Sequence, residues 1–472
     1  MFPVVVTKQV RHGAEVLRGT VGGLAWGPLV SLARTTILGT LANIETGTLL
    51  LVDEPGGTRH IFGQNLSGVA RDQAAGEAGT RKSNATPRVE IVVKRDSFWP
   101  RLLLFADIGF SEAYMLGDFH CEDLTGFFQL FIINRERMNN GTTLVSGLST
   151  YISYLARSTN TLSNALLNIS AHYDISNDMF EAFLSEDMTY SCPIWQKQHH
   201  FHADDETLEE AQHRKLRRFI DGAKLKSTDR VLEIGTGWGS FAIEAVKMTG
   251  CHVTTITLSK EQKALAERRI QEAGLCDRIE VQLVDYRRLS KPERPYDKII
   301  SIEMLEAVGE EYLSTYFACV DMLLKKEGGI AMFQCITMPE GRHQQYSKSV
   351  DFINQYIFPG GYLPSITQLL HHISDQSNGT LIVENVENIG GHYAKALRLW
   401  NERFQNNFND RIKTALLLSH PGMSKEEIEV FRRKWEYYFA YCEAGFATKT
   451  LGDVIITVGR EGALELMEGI PL

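Results

Sequence analysis

The stretch Asp229–Ser240, DRVLEIGTGWGS, limits what this 472-residue chain can fold into more than any other. An apolar run, Val231-Leu232-Glu233-Ile234, leads directly into Gly235, Gly237 and Gly239, and Phe241–Val246 (FAIEAV) continues with helical character. A short apolar run that ends in a glycine turn and reopens as a helix reads as a buried parallel strand feeding a crossover helix. Gly235 and Gly237 let the backbone approach a ligand that a Cβ would push away. The helix N-terminus beyond them offers unpaired N–H groups to a carboxylate or a phosphate. The pattern is a cradle for a nucleotide-like cofactor.

The next strand discriminates between cofactors. A dinucleotide site uses G-x-G-x-x-G and an acidic residue near the end of the second strand, which takes the ribose hydroxyls. Here the third glycine comes one residue early. The second strand, Cys251–Thr257 (CHVTTIT), ends without Asp or Glu and runs into Leu258-Ser259-Lys260-Glu261-Gln262. Ser259 and Gln262 have the spacing of a capping box. Polar side chains and a helix N-terminus beside the ribose position fit S-adenosylmethionine better than a nicotinamide dinucleotide.

From residue 229 onward strand and helix alternate. Strands are expected at Val231–Ile234, His252–Thr257, Ile279–Val284, Lys298–Ile302 and Ile330–Ile336, with later candidates at Leu381–Val386 and Val454–Val458. This predicts an α/β architecture, a parallel, doubly wound sheet with right-handed crossovers. Ligands in such sheets lie outside the carboxyl ends of the strands. That rule assembles one rim from Gly235–Gly239, Thr257–Gln262, Asp285-Tyr286, Glu303–Val308 and Gln334–Thr337. On it, Glu303 and Glu306 stand three residues apart, close enough to face one pocket from a helical turn.

The length predicts more than one domain. Residues 1–160 read as an α+β domain: an apolar helix, a hairpin with Gly47–Val52 as a strand and Glu54–Gly57 as its turn, a strand at Val89–Val93, and helical structure over 102–160. Residues 64–87, rich in Gly, Ala, Ser and charge, read as a flexible surface insertion. Residues 161–472 form the cofactor domain, with 161–228 as a helical lid and 338–378 as an insertion. A net charge of −9 argues against general nucleic-acid binding, and the basic run His213–Arg218 (HRKLRR) reads as a solvated helix face. Seven cysteines without a C-x-x-C point to reduced thiols, hence to an intracellular, cytoplasmic protein. No secretory signal is legible at the start, and the uncharged run between Arg18 and Arg34 is too short and glycine-rich to span a bilayer. His199, His200, His202, Asp204 and Asp205 invite a metal, but adjacent histidines in a polar loop rarely converge on one ion, and none is assigned.

Several longer motifs then occur in order: HYDISNDMFEAFLSEDMTYSC, VLEIGTGWGSFAIEAV, TLSKEQ, MLEAVGEEY, FINQYIFPGGYLPS and VENIGGHYAKALRLW. From about Asn164 to the C-terminus they resemble the S-adenosylmethionine-dependent cyclopropane fatty acid synthase family. Within residues 45–135, GFSEAYMLGDFHCED is similar to plant-type members. The resemblance implies a Rossmann-like class I methyltransferase fold with a seven-stranded, mostly parallel sheet behind an additional N-terminal α+β domain. It implies methyl transfer from S-adenosyl-L-methionine to a cis double bond of an unsaturated phospholipid acyl chain at a membrane surface. A carbocation results, deprotonated by a bound bicarbonate as the ring closes. The resemblance assigns the bicarbonate site to Cys192, Glu306, Ile336 and Tyr393. Gln334 stands where bacterial members commonly carry histidine; an amide can donate to the anion but cannot titrate. It assigns the cofactor to Tyr190, Ser191, Gly235, Thr236, Gly237, Trp238, Thr257, Leu258, Ser259, Gln262, Asp285 and Tyr286. Cys442 matches a late cysteine proposed in the family as a nucleophile, against which stands simple packing of a thiol on a helix. Residues Gln344–Ser365 would wall the acyl channel. Alternatives left open are a methylene- or methyl-branched product, a small-molecule natural-product C-methyltransferase, a lipid-binding protein with a dead site, and a homodimer.

Overall fold

The structure is a computed structural model that describes residues 22–63, 86–138, 176–197 and 206–471. Two compact units divide the chain. One comprises Met1–Tyr173 and Met423–Ala444, the other Asp174–Gly422 and Gly445–Leu472. The domain boundary expected near 160 lies outside the described residues, as do the expected insertion, but for its last two positions, and the five residues of the histidine-rich loop.

In the first unit the helix Gly22–Leu41 precedes a hairpin of β1 (Thr48–Asp53) and β2 (Thr58–Gly63). β3 (Arg88–Val93) then pairs parallel to β1, and the two-residue β4 (Phe119–His120) closes the order β2-β1-β3-β4. Along β3, Val89, Ile91 and Val93 are buried while Arg88 and Glu90 are exposed, the period-two pattern of a sheet with one packed face. The core of this unit is aromatic. Phe110 stacks on Phe127 with ring centroids 4.6 Å apart, and Tyr437, from the helix Lys425–Ala447, meets Phe128 edge-on at 5.1 Å.

The second unit carries a seven-stranded sheet of β5 (Arg230–Ile234), β6 (His252–Thr257), β7 (Ile279–Leu283), β8 (Lys298–Ile302), β9 (Ile330–Thr337), β10 (Ile382–Asn388) and β11 (Gly452–Gly459). The order is β10-β11-β9-β8-β5-β6-β7. β5 to β9 are mutually parallel. β11 inserts antiparallel between β9 and β10, so β11 alone is reversed and β10 runs in the same sense as β5 to β9. All eight residues of β11 are buried, which explains the near-continuous apolar run VIITV. Chain order reverses between β5 and β8, and this switch point opens a crevice at their carboxyl ends.

Candidate active site

One wall of the crevice is the turn after β5. Gly235, Gly237 and Gly239 have φ of +106°, +52° and +87°, a region open to glycine and costly for other residues. The N–H groups of Gly235 and Thr236 both donate to the Ile256 carbonyl, at 3.0 and 3.1 Å, which ties the turn to the end of β6. Thr255 Oγ1 donates to Thr236 Oγ1 at 2.7 Å. Arg269 clamps the outside of the turn through the carbonyls of Trp238, at 2.7 Å, and Asp187, at 2.9 Å. No side chain caps the following helix, Ser240–Thr249. An open backbone turn with an uncapped helix behind it fits the S-adenosylmethionine that the sequence suggests.

The other expected cofactor positions are distributed along the same strand ends. Ser259 caps the helix Lys260–Glu272 by accepting from Gln262 N at 3.1 Å. The reciprocal half of the capping box is replaced: the Gln262 side chain accepts from Thr257 Oγ1 at 2.8 Å, and Thr257 Oγ1 takes the Ser259 N–H at 3.1 Å. Leu258 is exposed. Trp238 is buried, donates to Asn177 Oδ1 at 2.9 Å and packs on Phe180, so it pins the entry segment to the turn. Tyr190 packs between Phe180 and Trp400. Asp285 begins a turn after β7, where Arg287 holds its carboxylate below the ordinary range. Tyr286 rests edge-on against Tyr316.

The second wall is a cluster of carboxyl groups. Glu303, the first residue beyond β8, has φ +47°, a left-handed conformation that costs a non-glycine residue about 1–2 kcal/mol. Its carboxylate gathers three donors at 2.7 Å: the Cys192 N–H and Gln334 Nε2 on Oε1, and the Tyr393 hydroxyl on Oε2. The Asp453 carboxyl lies beside it, and burial and the charge of Glu303 hold that carboxyl well above the carboxylate range. Glu306 Oε1 accepts from Ile336 N at 2.5 Å, while its buried Oε2 has no partner.

Sheet register explains the convergence. Gln334 and Ile336 are two apart on β9 and therefore share a face. Asp453 lies opposite Ile336 on β11, so its carboxyl reaches diagonally to Gln334 Nε2 at 2.9 Å. Gly390 makes room for Asp453: a Cβ there would stand 2.7 Å from the Asp453 backbone nitrogen. Three residues later Tyr393 opens the helix Tyr393–Asn407 with its ring stacked on Phe446. The extended segment that delivers Cys192 is pinned by Trp195, which donates to His392 Nδ1 at 3.1 Å and to its carbonyl at 2.9 Å. Lys215 donates to Ser191 Oγ at 2.6 Å, and Gln212 to the Ser191 carbonyl at 2.8 Å.

Burial dominates the electrostatics. Asp453, Gln334, Cys192 and Lys215 are fully buried, and Glu303 and Glu306 are half-buried. Burial and the charge of Glu303 push Glu306 up to about 8 and Asp453 well above the carboxylate range. Burial also raises Glu303, against the pull of its donors and of Lys215. The Lys215 ammonium is lowered by burial. The Cys192 thiol is pushed up, so this residue contributes its backbone N–H and not a thiolate. Such a site favours a cation and can accept a proton.

The structure thus brings together Cys192, Glu306, Gln334, Ile336 and Tyr393. Glu303 enters the sequence reading as one of two carboxylates on the rim, without an assigned role. Two further residues essential to the arrangement, Asp453 and Lys215, are absent from it as site residues. Asp453 could have been found as the one charge opening an apolar strand. Lys215 corrects the reading of His213–Arg218 as a solvated face: Arg217 is exposed, but Lys215 points inward. Cys442 sits half-buried on the helix Lys425–Ala447 and belongs to the first unit. The implied bicarbonate finds no fit here, because the donors it would use on Cys192, Gln334 and Tyr393 already converge on one carboxylate.

The sequence profile of the mycolic acid cyclopropane synthetase family matches residues 160–455. Tuberculostearic acid methyltransferase UfaA1 of Mycobacterium tuberculosis is 36% identical over 406 residues, which span 81% of this chain and 86% of that protein. Cyclopropane-fatty-acyl-phospholipid synthase of Escherichia coli is 30% identical over 403 residues, 81% of this chain and 91% of its own. Among solved structures, the mycolic acid cyclopropane synthase CmaA1 complexed with SAH and CTAB superposes with a TM-score of 0.52 at 28% identity, covering 62% of this chain and 98% of that one.

Proposed function

Because the chain belongs to the mycolic acid cyclopropane synthetase family, and is therefore an S-adenosylmethionine-dependent methyltransferase acting on lipid acyl chains, we propose that its substrate is a cis-unsaturated phospholipid and its product a cyclopropane. The observation that carries this reading is the adjacency of an open glycine turn on β5 and a buried acidic cluster on its neighbour β8. When bound, S-adenosylmethionine supplies an electrophilic methyl group. The Gly235–Gly237 backbone would hold it, with the end of β6 and Asp285 beside it. An alkene is a weak nucleophile, so alignment provides much of the rate. The cation left on the acyl chain is stabilised by the carboxylates and by the rings of Tyr393 and Trp400, whose centroids are 5.8 Å apart.

The segment 338–378 supports an acyl channel. Tyr362 N donates to the Glu306 carbonyl at 2.9 Å, which anchors that insertion to the acidic cluster, and Val350 and Phe358 are exposed on it. Among the described residues no helix is long and apolar enough to cross a membrane. On this reading the protein meets its lipid at the membrane surface. Incubation with vesicles of cis-unsaturated phospholipid and methyl-labelled cofactor, followed by mass spectrometry of the released acyl chains, tests the reading. A gain of one CH2 with loss of the double bond is expected, and no gain removes the phospholipid from consideration. The likeness to a tuberculostearic acid methyltransferase favours, as a second reading, a methyl- or methylene-branched chain. The same spectra separate it by fragmentation.

A further inference from the structure

We propose that the Glu303 carboxylate is the resident general base of this enzyme, occupying the place of an exchangeable anion; this rests on the methyl-transfer reading above. Three fixed donors from three separated parts of the chain, Cys192 N–H, Gln334 Nε2 and Tyr393 Oη, meet on this one carboxylate at 2.7 Å. Such a donor set can stabilise any small carboxylate-like anion. The chain fills it covalently. The left-handed backbone at Glu303 supports the assignment, since strain of this kind persists where the surroundings impose it. Its partners Cys192, Gln334 and Asp453 are fully buried, while Glu303 as a whole residue is half-buried. The neighbouring groups are Lys215, Glu306 and Asp453; burial raises all three acids, and Glu303 is the one on which three donors converge, which favours its ionised form.

The step balances without a further reactant. The alkene π pair forms the new C–C bond to the methyl carbon, and the C–S pair remains on sulfur. The adjoining acyl carbon is then cationic. Glu303 takes a proton from the transferred methyl group, and the released C–H pair closes the three-membered ring. If a hydride first shifts from the methyl-bearing carbon to the cation, loss of the same methyl proton gives an exocyclic methylene. One base on one proton serves both products.

The test uses the full chain, S-adenosylmethionine and cis-unsaturated phospholipid vesicles, in buffer stripped of carbon dioxide and in the same buffer with bicarbonate restored. The unaltered enzyme should be equally active in both. Glu303→Gly should lose about 100-fold in the stripped buffer and recover on adding bicarbonate, whereas Glu303→Gln, which keeps the site filled, should not recover. A separate arm titrates 13C-bicarbonate by NMR in the presence of S-adenosylhomocysteine. Line broadening is expected with Glu303→Gly and none with the unaltered protein. Dependence of the unaltered enzyme on bicarbonate, broadening by it, or full activity of Glu303→Gly in stripped buffer would each overturn the proposal. The first two need no variant to fold. Inactivity of every protein in both buffers would instead defeat the acyl-chain reading and the base with it, while the NMR arm still reports who fills the donor set.

Discussion

The two walls of the crevice solve opposite problems. The turn at Gly235–Gly239 is built from backbone, and it works by what is missing: Cβ atoms, a helix cap and strain-free alternatives to positive φ. The cluster at Glu303 is built from side chains, and it works by crowding three carboxyls and one ammonium where water is scarce. The first pays little for its geometry, since glycine tolerates it. The second holds groups whose ionisation burial opposes, and each is kept in place by neighbours from distant parts of the chain. Binding should therefore depend on the turn and chemistry on the cluster.

That division can be broken by four measurements. Burial and the charge of Glu303 push Glu306 up to about 8 within the same cluster, so Glu306→Gln should lower product formation by about 100-fold while S-adenosylhomocysteine still binds in calorimetry. A matching loss of affinity would show that the walls are not separable. Gly235→Val should do the reverse. Its φ and a contact with Met304 at 3.3 Å disfavour any Cβ, and cofactor affinity should fall about 20-fold, with kcat at saturation far less affected.

Tyr393→Phe removes one bond to Glu303 and should cost about tenfold in kcat. Because that bond favours the ionised carboxylate, its loss raises the pKa of Glu303. A base acts when ionised, so the acid limb of the pH–rate profile should move to higher pH. An unmoved limb would detach Tyr393 from Glu303. The last measurement concerns stability and Glu233, buried within β5 with Oε2 unpartnered and raised by burial to about 8. Below the ordinary carboxylate range both folded and unfolded chains hold this proton. Between there and about pH 8 only the folded chain does, so its contribution to stability is lost as pH rises, by about 1.4 kcal/mol per pH unit at most. Urea unfolding of Glu233→Gln should give a flatter pH dependence over that window, and an unchanged slope would place the proton elsewhere.

The same contrast explains what could be read in advance. The glycine turn, all seven strands of the larger sheet and the family motifs are local patterns, and each was legible. The antiparallel sense of β11 was not, because an apolar run buried on both faces looks alike in either direction. Ser259 was legible as a cap, but the other half of its capping box was taken over by Thr257, a residue outside the motif. Lys215 was misread because a basic run carries no sign of which member turns inward. The role of Glu303 needed coordinates, since its partners at 192, 334, 393 and 453 lie up to 150 residues away along the chain.

The insertion of β11 between β9 and β10 has a consequence for biosynthesis. A chain emerging from the ribosome can form its β5 turn long before residue 453 is translated. Until that strand pairs between β9 and β10, Glu303 lacks the neighbouring Asp453 carboxyl. On the reading proposed above, the nascent chain would hold the surface for its methyl donor before its acidic cluster is complete.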